Sequence, residues 1–223
     1  MKRLLIPATL LLLLSTITAF SQSGKVYDNL SLPSKILKSE RKFAIYLPPD
    51  YETSGRSYPV LYLLHGSGDD QTGWVQFGEV LNITDKAIAD GSATPMIIVM
   101  PDANTGRRGY FNDIKGDWNY EDFFFTELIP FIEKKYRAKT DKRARAISGL
   151  SMGGGGTFMY AMHHPELFSS ACPLSASVGA INLDDAKASI KKNNPNLADS
   201  TITNYVNRHS AIALVNNMPD NQK

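Results

Sequence analysis

The 223-residue chain carries 43% hydrophobic and 21% charged side chains, with 24 basic and 22 acidic residues. That balance excludes a disordered, collagen-like or coiled-coil chain, and the length accommodates one domain with a sizeable core. Setting aside Lys2 and Arg3 leaves 22 basic against 22 acidic side chains, too even a balance for the basic face that a nucleic-acid binder needs.

The chain opens with Met1-Lys2-Arg3, followed by the nearly unbroken aliphatic run Leu4 to Leu14 and by small residues at Ala19 and Ser21. Positive start, short apolar stretch and small-x-small site are the layout of a secretory signal peptide over residues 1–21. The mature chain is expected to begin near Gln22 and to work outside the cytoplasm, secreted or periplasmic. The alternative, a membrane anchor, is short at about 17 residues against the roughly 20 of a span. No cysteine stands near the cleavage site to carry a lipid, and the mean hydropathy of −0.22 excludes a polytopic membrane protein.

Apolar runs then alternate with amphipathic stretches. Lys42 to Leu47, stopped by Pro48-Pro49, reads as an early strand. Pro59–Leu64, Met96–Met100, Ala144–Ile147 and Ala171–Leu174 are short runs without alternation, as in parallel strands buried on both faces. Helices are expected over Gly78–Ala89, Tyr120–Tyr136 and Met152–His163, with a kink at Pro130 in the second. Strand–helix alternation predicts an α/β fold, a mostly parallel sheet with helices on both faces. Ligands of such sheets lie at the carboxyl ends of the strands, here after Leu64, Met100, Ile147 and Leu174. The single cysteine, Cys172, excludes an intrachain disulfide and a cysteine-based zinc site. No metal or cofactor motif is present.

Gly149-Leu-Ser151-Met-Gly153 is G-x-S-x-G between a strand and a helix. A nucleophilic serine at so sharp a turn needs small residues two before and two after it, where strand and helix approach. A glycine-rich turn with an incidental serine is the alternative. A phosphate loop is a poor match, because Gly153 to Gly156 is not followed by Gly-Lys-Ser/Thr. His65-Gly66-Ser67-Gly68 follows the Pro59–Leu64 strand, where an acyl-transferring serine needs backbone N–H groups aimed at the oxyanion. The N–H of Met152, after the nucleophile, and that of Ser67 are the expected donors; an ordinary tight turn is the alternative.

With Trp74 downstream, Glu127-Leu-Ile-Pro-Phe-Ile-Glu133 followed by Tyr136, and Ala146-Ile-Ser-Gly-Leu-Ser-Met-Gly-Gly154, these motifs resemble the esterase D-like family of α/β-hydrolases. Within it the chain is most similar to the feruloyl and acetyl-xylan esterases of carbohydrate esterase family 1, from about Lys42 to Ser177. The resemblance implies a secreted carboxylic-ester hydrolase with Ser151 as nucleophile and no cofactor. It implies that Trp74 and the Asp102–Phe111 loop border the acyl or sugar site, although Trp74 reads equally as a core or rim aromatic. Substrates would be small-molecule or polysaccharide esters. An acyltransferase, a siderophore-type esterase and a non-catalytic carbohydrate-binding relic are the rival readings.

A triad in this fold needs an acid and then a histidine after the serine. His65 reads as structural, and His163 and His164, before Pro165, read as helix-dipole partners and stop signals about 18 Å from Ser151. His209 follows Asp184, Asp185 and Asp199 in the right order for a compact triad. The resembled family has two more strands, with the acid after the first and the histidine after the second. Residues 184–223 read as helix and loop with one weak strand at Ala211–Val215. The expectation is a chain that stops before its last two strands, with acid and histidine beyond residue 223.

Overall fold

The computed structural model describes residues 22–103, 109–176, 178 and 182–218. The signal peptide read over residues 1–21 and positions 104–108 of the loop ending at Phe111 lie outside these. Among the described residues six strands form one sheet in the order β1-β2-β4-β3-β5-β6. These are β1 (Lys25–Ser34), β2 (Ser39–Leu47), β3 (Val60–Leu64), β4 (Ile97–Pro101), β5 (Arg145–Leu150) and β6 (Ser170–Leu174). β1, β2 and β4 pair antiparallel, whereas β4, β3, β5 and β6 run parallel. β6 is the sheet's far edge, and all five of its residues, Cys172 included, are exposed. The two further strands that the resemblance implies are not among the described residues.

The helices are α1 (Gly73–Gln76), α2 (Val80–Ala89), α3 (Tyr120–Phe123), α4 (Ile129–Lys135), α5 (Met152–His163), α6 (Leu183–Asn193), α7 (Asp199–Arg208) and α8 (Ala211–Asn216). The apolar runs are continuous because both faces of the central strands are covered. Phe43, Ile45, Tyr62, Leu64, Val99 and Ile147 join Phe124, Leu128, Ile132 and Tyr160 in one core. Ala44, Tyr46, Leu63, Ile98 and Met100 pack with Val80 of α2 in the other. Successive residues of β2 and β4 thus serve opposite layers.

Three expectations change. β1 was not foreseen; it is an outer strand, mostly exposed, with a register shift between Tyr27 and Leu30. The stretch from Tyr120 is not one kinked helix. A π-helical turn over Phe124–Leu128 separates α3 from α4, so that Pro130 falls in the first turn of α4, where its missing N–H costs little. Ala211–Val215 is not a strand but most of α8, capped by Ser210, whose hydroxyl accepts the Ala213 N–H. Among the described residues no helix is long and apolar enough to cross a membrane.

Candidate active site

β5 delivers Ser151 to the start of α5, at the carboxyl end of the sheet. Ser151 has φ 54° and ψ −110°, a backbone conformation that L-residues rarely adopt, and its side chain is exposed. The strain is held in place from several sides. The Ser151 N–H donates to the Leu174 carbonyl of β6 at 2.9 Å, and its own carbonyl accepts the Gly155 N–H at 2.9 Å. A Cβ on Gly149 would stand 2.5 Å from the Gly153 carbonyl oxygen, and one on Gly153 would stand 2.5 Å from that of Leu64. Both glycines of G-x-S-x-G are therefore required by backbone-to-backbone proximity.

The loop after β3 meets this turn. A Cβ on Gly66 would lie 3.6 Å from the Leu150 carbonyl oxygen and 3.8 Å from Ser151 Cβ. Gly66 to Asp69 form a tight turn with Gly68 at φ 82°, closed by an Asp69 N–H bond to the Gly66 carbonyl. Ser67 at its tip is exposed. Among the described residues neither the Ser67 N–H nor the Met152 N–H has a hydrogen-bond partner. Met152 opens α5, whose first N–H groups are unpaired within the helix and carry its positive dipole end. Two free donors thus come from separate elements to the neighbourhood of one exposed serine.

His65 holds this loop from beneath. It is 2% exposed. Its Nε2 accepts the Ala103 N–H at 2.9 Å, so the proton sits on Nδ1, which donates to the Gly66 carbonyl at 2.8 Å. The fully buried Tyr110 donates its hydroxyl to the His65 carbonyl at 3.1 Å. Both ring nitrogens are committed, which gives His65 the structural role expected of it.

Trp74 is half-buried. Its indole N–H donates to the Leu64 carbonyl at 3.0 Å, and it packs against the second core. It also lines a cleft of about 180 Å³ with His65, Gly66, Asp69, Phe77 and Leu150. Trp74 is thus at once a core contact and part of the wall of this cleft.

The remaining histidines are elsewhere. His163, at the end of α5, donates from Nδ1 to Glu121 at 2.7 Å and from Nε2 to the Arg208 carbonyl at 2.8 Å. Both ring nitrogens thus face oxygen acceptors. His164 Nε2 and Arg208 Nη2 also approach Glu121, at 3.4 and 3.5 Å. The partner of the two helix-end histidines is therefore a buried carboxylate of α3 more than the helix dipole. Burial alone would raise the Glu121 carboxyl; hydrogen bonds from His163 and His164 and the Arg208 charge hold it well below the usual carboxylate range.

The His209 ring lies 6.1 Å from that of His163 and donates from Nδ1 to the Tyr205 carbonyl at 2.8 Å. Twelve helical residues, about 18 Å, separate His163 from the Ser151 end of α5. The compact triad through His209 is thereby excluded in this arrangement. Among the described residues the Ser151 hydroxyl has no hydrogen-bond partner, and none is grouped to hold a metal ion. Sequence reasoning missed the Glu121 network because a buried carboxylate and a surface one look alike in a helical pattern.

A serine at a strained strand-to-helix turn, on a mostly parallel sheet with helices on both faces, defines an α/β-hydrolase fold. The family model described as "Putative esterase" matches residues 34–219, and the chain belongs to that esterase family. An esterase of Mycobacterium tuberculosis is 40% identical over 131 residues, which are 57% of this chain and 27% of the relative. An endo-1,4-beta-xylanase/feruloyl esterase of Xylanibacter ruminicola is 40% identical over 135 residues, 56% of this chain and 18% of the relative. This chain thus spans about a quarter or less of the length of these curated relatives. A solved ferulic acid esterase superposes with a TM-score of 0.74 at 36% identity, covering 90% of this chain and 74% of the other.

Proposed function

We propose that the chain is the esterase domain of an exported carboxylic-ester hydrolase acting on feruloyl or acetyl esters of plant polysaccharide. The observation that carries this reading is the pair of unpartnered N–H groups, of Ser67 and Met152, beside the exposed Ser151. Ser151 Oγ attacks the ester carbonyl carbon, the two N–H groups receive the oxyanion, and the alcohol leaves with the proton. Water then attacks the acyl carbon, the bond to Oγ breaks, one water proton returns to Oγ, and the acid departs. Trp74 borders the acyl side of the cleft. The feruloyl and polysaccharide assignments draw on the named activities of the relatives, and export draws on the pattern of residues 1–21.

None of the chain's four histidines, as placed, takes the Ser151 proton, so we assign that task to a base outside the described residues. The test is turnover of methyl ferulate, acetylated xylan and 4-nitrophenyl acetate by the protein isolated from its source, with free sugar alcohols present. Release of ferulate or acetate supports hydrolysis. Transfer of the acyl group to the alcohols in preference to water would make the protein an acyltransferase. An N-terminus near Gln22 by mass spectrometry supports export, and an intact Met1 on the extracytoplasmic protein opposes it.

A further inference from the structure

Among the described residues, the wall of the cleft beside Ser151 is apolar apart from one carboxylate. Trp74, Phe77 and Leu150 supply its apolar surface, and the His65 ring beneath it is held neutral by its two hydrogen bonds. Asp69 is half-buried in the same wall. Its Oδ1 accepts the Asp70 N–H at 2.9 Å, which fixes the carboxylate. The carboxylate also lies so close to Gly73 that any Cβ there would collide with it. No Lys or Arg of the described residues forms an ion pair with Asp69. The neighbouring Asp70 is turned to Thr72, whose N–H and hydroxyl it accepts at 2.8 and 2.7 Å.

We propose that Asp69 is a specificity-determining residue that sets the charge preference of this cleft: it admits uncharged acyl groups and repels carboxylates. The inference rests on the assignment of the cleft to the acyl group. A neutral ester enters without penalty. Hydrolysis turns the acyl group into a carboxylic acid, which gives its proton to solvent and becomes an anion inside a cleft that already holds one. The same fixed charge disfavours acyl chains that bear a second carboxylate, such as half-esters of dicarboxylic acids. A like charge in the same solvent-exposed cleft is enough to change affinity by about three- to tenfold, and salt screens the effect.

The test compares binding of trans-cinnamate and its neutral isostere trans-cinnamamide to the full chain by calorimetry, in the wild type and in Asp69→Asn. Asparagine keeps the acceptor for the Asp70 N–H and removes only the charge. The amide should bind wild type about three- to tenfold more tightly than the anion, with the gap narrowing in 1 M salt. Asp69→Asn should close the gap by gaining affinity for cinnamate while the amide is unchanged. Equal affinities in the wild type, or a gap that survives in Asp69→Asn, would overturn the role of Asp69 alone. Failure of both ligands to bind would overturn the acyl cleft itself, and this inference with it.

Discussion

The backbone N–H of Ala103 ends on Nε2 of His65, 2.9 Å away, and so ties the loop after β4 to the loop that carries Ser67. One buried ring thereby satisfies a donor on one loop and an acceptor on the other. His65→Phe keeps the ring and removes both bonds. It should orphan the buried Ala103 N–H, at about 1–3 kcal/mol, and leave the Gly66 carbonyl with the 3.4 Å bond from the Asp69 N–H. Urea denaturation measures the loss, and an unchanged midpoint would contradict it. In the wild type, nitrogen-15 shifts of His65 should show a protonated Nδ1 and a bare Nε2.

Glycines of this chain should differ sharply in tolerance. A Cβ at Gly153 meets the carbonyl oxygens of Leu64 at 2.5 Å and His65 at 2.7 Å, neither of which can swing aside. Gly153→Ala should cost about 1–3 kcal/mol or more and displace Ser151 from its turn. Gly55 has open space around its Cβ position, and Gly55→Ala should stay within about 0.5 kcal/mol of wild type. Thermal melts of the two variants side by side decide the point.

The chain should be acid-labile through the joint between α3, α5 and α7. Burial pushes His209 below its ordinary value of 6.5, against the pull of the Tyr205 carbonyl. With a depressed folded value, the unfolded chain binds that proton first, and stability falls as pH drops from about 6.5. Glu121 is also depressed and adds a further loss as pH falls below 4.5, its ordinary value. The unfolding midpoint should therefore decline as pH falls below about 6.5, and fall further below about 4.5. Glu121→Gln, which removes the carboxylate that His163 and Arg208 approach, should cost about 1–3 kcal/mol at pH 7.

Among the described residues no histidine is placed to take the Ser151 proton, and this bears on the rate. In the 223-residue chain, turnover of 4-nitrophenyl acetate should be slow, about 10³–10⁴ over water from donors and binding alone. His209→Ala should leave that slow rate unchanged. A fast rate lost in His209→Ala would restore the compact triad.

The central strands were legible because burial on both faces writes itself as an unbroken apolar run, as in Ile97–Met100 and Val60–Leu64. β1 was not, since it is an exposed outer strand with little alternation. Ala211–Val215 misled because a five-residue apolar run fits a strand or a buried helix turn equally. Ser151 was legible because its turn demands glycine on both sides within five residues. The splint between His65 and Ala103 was not, because it joins residues 38 positions apart and no local pattern encodes that meeting. Glu121 and its neighbours His163, His164 and Arg208 were hidden for the same reason: they come from three helices.

The central claim is that Ser151 is the residue acylated. Peptide mapping of the source-isolated protein after brief exposure to a fluorophosphonate, or to 4-nitrophenyl acetate quenched in acid, tests it directly. The adduct should sit on the peptide containing Ser151 and vanish in Ser151→Ala, with turnover falling by about 10⁶. An adduct on another residue, or undiminished turnover in Ser151→Ala, would contradict it.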